Sequence, residues 1–232
     1  MQIQPAFGKR IATTALVATM SLCAFAQDDE GRISFGLHFD PVVAWFRSDV
    51  NQTINKGARP GFNIGLTFDR YFTSNYAFST GINIISAGGR LLSTDTLLMQ
   101  YNNFTEVVNP GVPVVYKIQY LSIPVGLKLQ TNEIGYVKVF TNIGLDPKFV
   151  IGGKNDIPQL DIKNESAGKE LKKINIGWHI TGGIEYSLGG STSLQVGLNY
   201  ENNFLDITKD NGKQPRDKVT HKMLGLRLGL NF

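Results

Sequence analysis

The chain has 232 residues, 42% hydrophobic and only 18% charged, with 25 glycines and one cysteine. That length suits one all-β domain, and no stretch after residue 26 approaches the ~18 consecutive apolar residues of a spanning helix. The net charge of +4 falls to +2 (21 basic against 19 acidic side chains) once Lys9 and Arg10 are set aside, which argues for no nucleic-acid partner.

Residues 1–26 read as a cleaved secretory signal. Lys9 and Arg10 form its positive start, residues 11–25 are short and mostly apolar, and Ala24, Phe25 and Ala26 supply a small-x-small cleavage site. Cys23 leaves with this segment, so the remaining domain, 27–232, has no disulfide or thiol chemistry.

The first predicted strand covers 33–46. Ile33, Phe35, Leu37, Phe39, Val43 and Trp45 share one face, and Arg32, Ser34, Gly36, His38 and Asp40 share the other. Residues 51–61 are polar and turn-rich and predict a loop. Phe62, Ile64, Leu66 and Phe68 carry the second strand. A tight connection at Thr73, Ser74 and Asn75 leads to the third, built on Tyr76, Phe78, Ile82 and Ile84. Residues 88–115 predict the longest irregular stretch.

In the fourth strand Leu121, Ile123, Val125, Leu127 and Leu129 alternate with Ser122, Gly126 and Lys128. Tyr116, Ile118 and Tyr120 fall on the opposite phase, so a β-bulge is expected near Tyr120. A short turn at 133–135 precedes the fifth strand, with Val137, Val139, Ile143 and Leu145 facing away from Lys138, Asn142, Gly144 and Asp146. Residues 152–172 predict another polar loop. Ile174, Ile176, Trp178, Ile180, Ile184 and Tyr186 mark the sixth strand, opposite Asn175, His179, Thr181 and Glu185. Gly189 and Gly190 signal a tight hairpin into the seventh, with Leu194, Val196, Leu198 and Tyr200. A last loop at 206–216 leads to the eighth. There Leu224, Leu226, Leu228, Leu230 and Phe232 alternate with Gly225, Arg227, Gly229 and Asn231.

Eight strands emerge, with long loops expected after the first, third, fifth and seventh and short turns after the second, fourth and sixth. This sorting belongs to outer-membrane barrels. The predicted fold class is therefore all-β, an eight-stranded antiparallel up-and-down transmembrane β-barrel in the outer-membrane lipid bilayer. Trp45, Tyr200 and Phe204 toward the loops, and Phe72, Tyr76, Tyr186 and Phe232 toward the turns, fit interfacial girdles. Pro41, Pro124 and Pro147 each delete a ladder hydrogen bond and are expected at bulges, bends or strand ends above the lipid.

Alternation alone does not say which face is inside, and a soluble lipocalin-like barrel would turn the apolar face inward. The Gly- and Asn-rich face also carries Arg32, Lys128, Lys138, Glu185, Glu201 and Arg227. It suits a narrow lumen where opposite charges pair, so a plugged, non-conducting interior is expected. Arg227 is expected to meet an acid such as Glu185 or Glu201. His38 with Asp40, and His179 with Glu185, are the candidate pairs for orienting a base or, with a third ligand, holding a metal. Neither has a nucleophile beside it, so no catalytic, cofactor-binding or metal residue is assigned.

The terminal strand ending on Phe232 resembles the closing strand of bacterial outer-membrane proteins, which implies the barrel-assembly machinery as a partner. Asn75 to Gly81, the Gly88, Gly89, Arg90 and Leu91 that follow, and the Y-L-x-I-P-x-x-L-K element at 120–128 resemble the PorT-type outer-membrane β-barrel family. Gly182, Gly183, Ile184 and Glu185 and the closing strand fit it too, and the resemblance spans essentially the whole mature chain. It makes Pro124 a usual feature rather than an awkward one. The H-F-D-P-x-x-x-W segment at 38–45 leans toward the branch that assists type IX secretion of surface and gliding-motility proteins. That branch implies contacts with other secretion-system components and no catalytic residues to carry over. A generic structural or adhesive barrel, binding an external partner through 88–115, is the alternative expectation, and a rim hydrolase a third.

Overall fold

The computed structural model describes residues 31–101, 104–209 and 217–232. The signal expected over 1–26 and most of the loop expected over 206–216 lie outside the described residues. Twelve strands occur among those described: β1 (Ile33–Ser48), β2 (Thr53–Thr73), β3 (Tyr76–Ser93), β4 (Leu97–Gln100), β5 (Thr105–Val108), β6 (Pro113–Ser122), β7 (Val125–Gln130), β8 (Val137–Ile157), β9 (Ile162–Ser166), β10 (Ile174–Gly189), β11 (Thr192–Asn203) and β12 (Val219–Asn231). The pairing is antiparallel throughout.

Following the ladders gives the circuit β1, β2, β3, β6 with β7, β8, β10, β11, β12 and back to β1. β6 and β7 lie end to end and share one wall position, so the ring has eight positions. β9 adds to the far end of β8, and β4 with β5 forms a separate hairpin. Closure matters because a strand inside lipid can satisfy its backbone N–H and C=O groups only through neighbouring strands.

The side-chain parity matches the alternation in the sequence. Phe35, Leu37, Phe39 and Val43 of β1 point outward and are about half exposed, while His38, Asp40, Val42 and Ala44 are buried. On β12, Leu224, Leu226, Leu228 and Leu230 point outward and Arg227 and Asn231 point in. The outward apolar band is flanked by aromatic pairs. Phe72 stacks near Tyr76, and Tyr136 near Tyr186, at the turn end; Trp178 meets Tyr200 edge-on at the loop end.

Above this band the apolar face changes sides. On β6 the outward residues are Lys117 and Gln119, and the inward ones are Tyr116, Ile118 and Tyr120, all buried. β3 places Ile85, Ala87 and Leu91 inward, and Arg90 outward. Parity is unbroken along this wall: Tyr116, Ile118, Tyr120, Ser122, Lys128 and Gln130 all face the interior. The phase conflict expected at Tyr120 is therefore a change of solvent outside the wall, from lipid below to water above. A bulge is present beside Tyr120, but on β8, where the ladder passes from Gly152 to Val150 and skips Ile151.

Three stretches expected to be loops are largely strand for the same reason. β2 already starts at Thr53, leaving only 49–52 between it and β1, so the first connection is short rather than long. β3 runs on to Ser93 and β6 begins at Pro113, with the β4–β5 hairpin between them. β8 continues to Ile157, followed by a single 3-10 turn, Pro158–Leu160, and β9. A strand that rises above lipid presents Lys, Asn and Gly to water, and such composition resembles a loop.

The expected short turns are present at Ser74 and Asn75, between β7 and β8, and at Gly189 and Gly190, whose φ values of +105° and +62° suit glycine. The prolines sit where the ladder can spare an N–H. Pro124 fills the gap between β6 and β7. Pro147 faces that gap from β8, where its carbonyl accepts from Ile123 N–H at 3.0 Å. Pro41 falls in the break in β1–β12 pairing between Phe39 and Val42.

Candidate functional site

Strand parity sends the long polar side chains into the barrel, and glycines make room for them. A Cβ on Gly65 would lie 2.8 Å from His38 Nε2, and one on Gly144 would lie 2.8 Å from His179 Cε1. The interior is then filled in tiers.

Nearest the turns, Lys128 Nζ lies 2.9 Å from Asp69 and 2.6 Å from Glu185. Ser79 donates to Asp69 at 2.6 Å, and Asn231 and Gln195 donate to Glu185 at 2.9 and 3.1 Å. In the middle, Arg227 Nε lies 2.8 Å from Asp40, whose carboxylate also meets His38 Nδ1 at 3.2 Å. His179 Nδ1 lies 2.8 Å from Asp146. Higher up, Lys148 Nζ reaches Glu201 at 2.5 Å and Asn203 at 3.1 Å. Buried ions are tolerable when paired and hydrogen-bonded in this way.

The expected acidic partner of Arg227 is present, but it is Asp40 rather than Glu185 or Glu201. Around Pro41 the β1–β12 register brings Asp40 directly beside Arg227, while Glu185 and Glu201 are engaged by Lys128 and Lys148. His179 likewise pairs with Asp146 on the adjoining strand and not with Glu185. Two expected lumen charges stand instead at the turn-side mouth: Arg32 lies 4.3 Å over the Tyr71 ring and Lys138 lies 3.3 Å from Glu133. Lys148 escaped notice in the sequence, although it continues the inward parity of Asn142, Gly144 and Asp146.

Above Lys148 the interior is mainly apolar, with Asn155 and Glu170 among the polar side chains buried beside it. Phe46, Ile85, Tyr116, Ile118, Tyr120 and Met223 form a buried cluster, completed by Met99, Tyr101 and Val108 from the β4–β5 region and by Leu171 and Ile207 from the other connections. His221 sits at the boundary, 3.2 Å from the Tyr120 hydroxyl. The loop-side connections thus fold inward as a cap. Tyr101, outside the membrane band, has its hydroxyl pKa raised by burial there.

This arrangement leaves little free space. A polar void of about 30 Å³ lies between His38, Asp146, His179 and Arg227, enough for one or two waters. A hollow of about 170 Å³ opens at the turn-side mouth between Arg32, Tyr71, Lys138 and Phe232. Nε2 of His38 and of His179 meet Asn83 and Asn142, which are not nucleophiles. Among the described residues no three His, Cys, Asp or Glu side chains are grouped to hold a metal.

A closed eight-position ring, an outward apolar band and a filled polar lumen describe a membrane barrel. Residues 25–209 match the family model described as outer membrane protein beta-barrel domain. The chain belongs to that family. Among solved structures, Neisserial surface protein A is similar at 13% identity over 85% of this chain and 95% of its own, with a TM-score of 0.50. OprG of Pseudomonas aeruginosa is 11% identical over 87% and 96%, with a TM-score of 0.45. Ail, the attachment invasion locus protein of Yersinia pestis, is 16% identical over 88% and 99%, with a TM-score of 0.43. At such identities the likeness concerns the fold alone. No curated protein matches the sequence. The family sets the protein in the outer membrane, so its short turns face the periplasm and its capped end faces outward.

Proposed function

We propose that this protein is a sealed, non-enzymatic outer-membrane barrel that works by binding, and that it assists type IX protein secretion as a PorT-type component. The single observation behind the binding role is the cap. Strands continue above the lipid band and close over an apolar cluster, which makes the outer end a rigid surface rather than a pore mouth. The filled lumen and the asparagines at both histidines favour neither transport nor hydrolysis.

The Y-L-x-I-P-x-x-L-K element at 120–128 supports the PorT-type family and the H-F-D-P-x-x-x-W segment at 38–45 its secretion branch, with other secretion-system components as partners. Residues 1–26 serve as the cleaved export signal, and β12 with Phe232 is read by the barrel-assembly machinery. Deleting the gene and assaying secreted cargo tests the role. Export is expected to fall while the envelope stays intact; normal export overturns the secretory role and leaves the barrel assignment standing.

A structural or adhesive role is the second reading. It is favoured by Phe104 and Val107, large apolar side chains left exposed at the β4–β5 hairpin. Replacing 97–108 with a short flexible linker is expected to abolish capture of an external partner while membrane insertion persists.

A further inference from the structure

The barrel wall parts at one place. The β1–β2 ladder ends at Ala44 opposite Arg59, although β1 continues to Ser48 against β12 and β2 starts at Thr53 against β3. The facing edges, 45–48 and 53–58, therefore carry backbone N–H and C=O groups with no ladder partner across the gap. A hollow of about 620 Å³ lies there, lined among others by Trp45, Arg47, Val50, Ile54, Asn55 and Lys222.

The depth of this notch follows from strand geometry. Phe35 to Trp45 is about 33 Å of strand at 3.3 Å per residue, or roughly 25 Å of depth at a tilt near 40°, which matches the apolar band of such barrels. Trp45 therefore stands at the outer interface, where its amphipathic ring is favoured. Lys222 is its ladder partner on β12, and Arg47 is the next outward residue on β1. Both cations point out at headgroup depth. Among the described residues neither has an ion-pair partner.

We propose that this notch binds the phosphorylated headgroup of an outer-leaflet glycolipid. Arg47 offers the forked guanidinium that fits phosphate oxygens, Lys222 adds a point charge, and the free strand edges add N–H donors. Trp45, Val50 and Ile54 supply apolar wall for the sugar and the start of the acyl chains. A soluble anion would have no use for that wall, nor for a site that opens sideways into the lipid annulus.

The test uses the barrel in phosphatidylcholine nanodiscs, with Trp178→Phe so that Trp45 is the only indole. Bis-phosphorylated lipid A and its dephosphorylated form are titrated in and Trp45 emission is followed. The phosphorylated lipid is expected to bind and shift the emission, the dephosphorylated form to bind far more weakly, and inorganic phosphate not to compete. Arg47→Gln with Lys222→Gln is expected to weaken binding roughly 25-fold, about fivefold for each cation near an anionic surface. Lys154→Gln, an exposed cation on β8, leaves it unchanged, and heat-modifiable gel mobility checks that each variant is folded. Equal binding of the two lipids, full binding by the double variant, or competition by inorganic phosphate overturns the proposal. If the double variant does not fold, the comparison of the two lipids on the Trp178→Phe protein decides alone.

Discussion

Lys148 has no exposed surface and lies directly beneath the apolar cap, held by Glu201 and Asn203. Lys148→Met leaves Glu201 buried without its cation, which costs about 3–5 kcal/mol. A lower urea midpoint for the refolded barrel is the readout. Adding Glu201→Met removes the orphaned charge and is expected to restore most of the loss; a double variant as weak as the single one contradicts the pairing. At this scale the sequence made legible which way side chains point, because parity needs only a two-residue period. It placed Arg227, Lys128, Glu185 and Glu201 in the lumen correctly. Which acid meets which base depends on register between strands distant in sequence, as with Asp40 and Arg227, and no local pattern encodes that.

β6 and β7 form one wall that passes through two solvents, and the element is best understood through that change. Ile118 faces the cap core, so Ile118→Ala is expected to cost about 2–5 kcal/mol, whereas Gln119→Ala on the watered face stays within about 0.5 kcal/mol. Denaturant titration of the two variants separates them. Equal costs would place Gln119 in a packed environment and contradict the inversion. The strands were legible wherever the outside is lipid, since large apolar residues then mark every second position. Above the lipid the outward marks become Lys117, Arg90 and Lys154, and the strand reads as a loop although its inward residues continue the ladder.

β9 is held to β8 by a local clamp with its own pH dependence. Asp156 pairs with Lys117 and accepts the Asn164 N–H at 2.7 Å. Burial pushes its carboxyl up, but these donors outweigh that and hold its pKa below the usual 3.8. The folded chain therefore takes up this proton less readily than the unfolded one. The clamp contributes fully above pH ~4 and is lost as pH falls through the depressed value. Amide exchange at Asn164 should show protection that fades on acidification in the native protein, with a flat profile in Asp156→Asn. A native profile as flat as the variant's contradicts the clamp.

Taken whole, the molecule is a membrane barrel whose lower part is lipid-facing with a polar interior and whose upper part is water-facing with an apolar interior. Such an object is sealed by construction, and insertion into planar bilayers is expected to produce no conductance steps; regular steps would contradict the filled lumen. The alternation in the sequence reached the outer-membrane β-barrel family, whereas the cap was hidden, because it is assembled from Met99, Leu171 and Ile207 in connections that show no period of their own.

The change of solvent along one continuous wall is tested most directly by spin labels. Cys23 is the one cysteine of the chain, so on a Cys23→Ser background single cysteines can be introduced along 117–127 and labelled in nanodiscs. Labels at Leu121, Ile123, Val125 and Leu127 are predicted to relax with oxygen, those at Lys117 and Gln119 with a water-soluble nickel complex, and those at Ile118 and Tyr120 with neither. Oxygen-dominated relaxation at Lys117 and Gln119, or at Ile118 and Tyr120, would contradict the account.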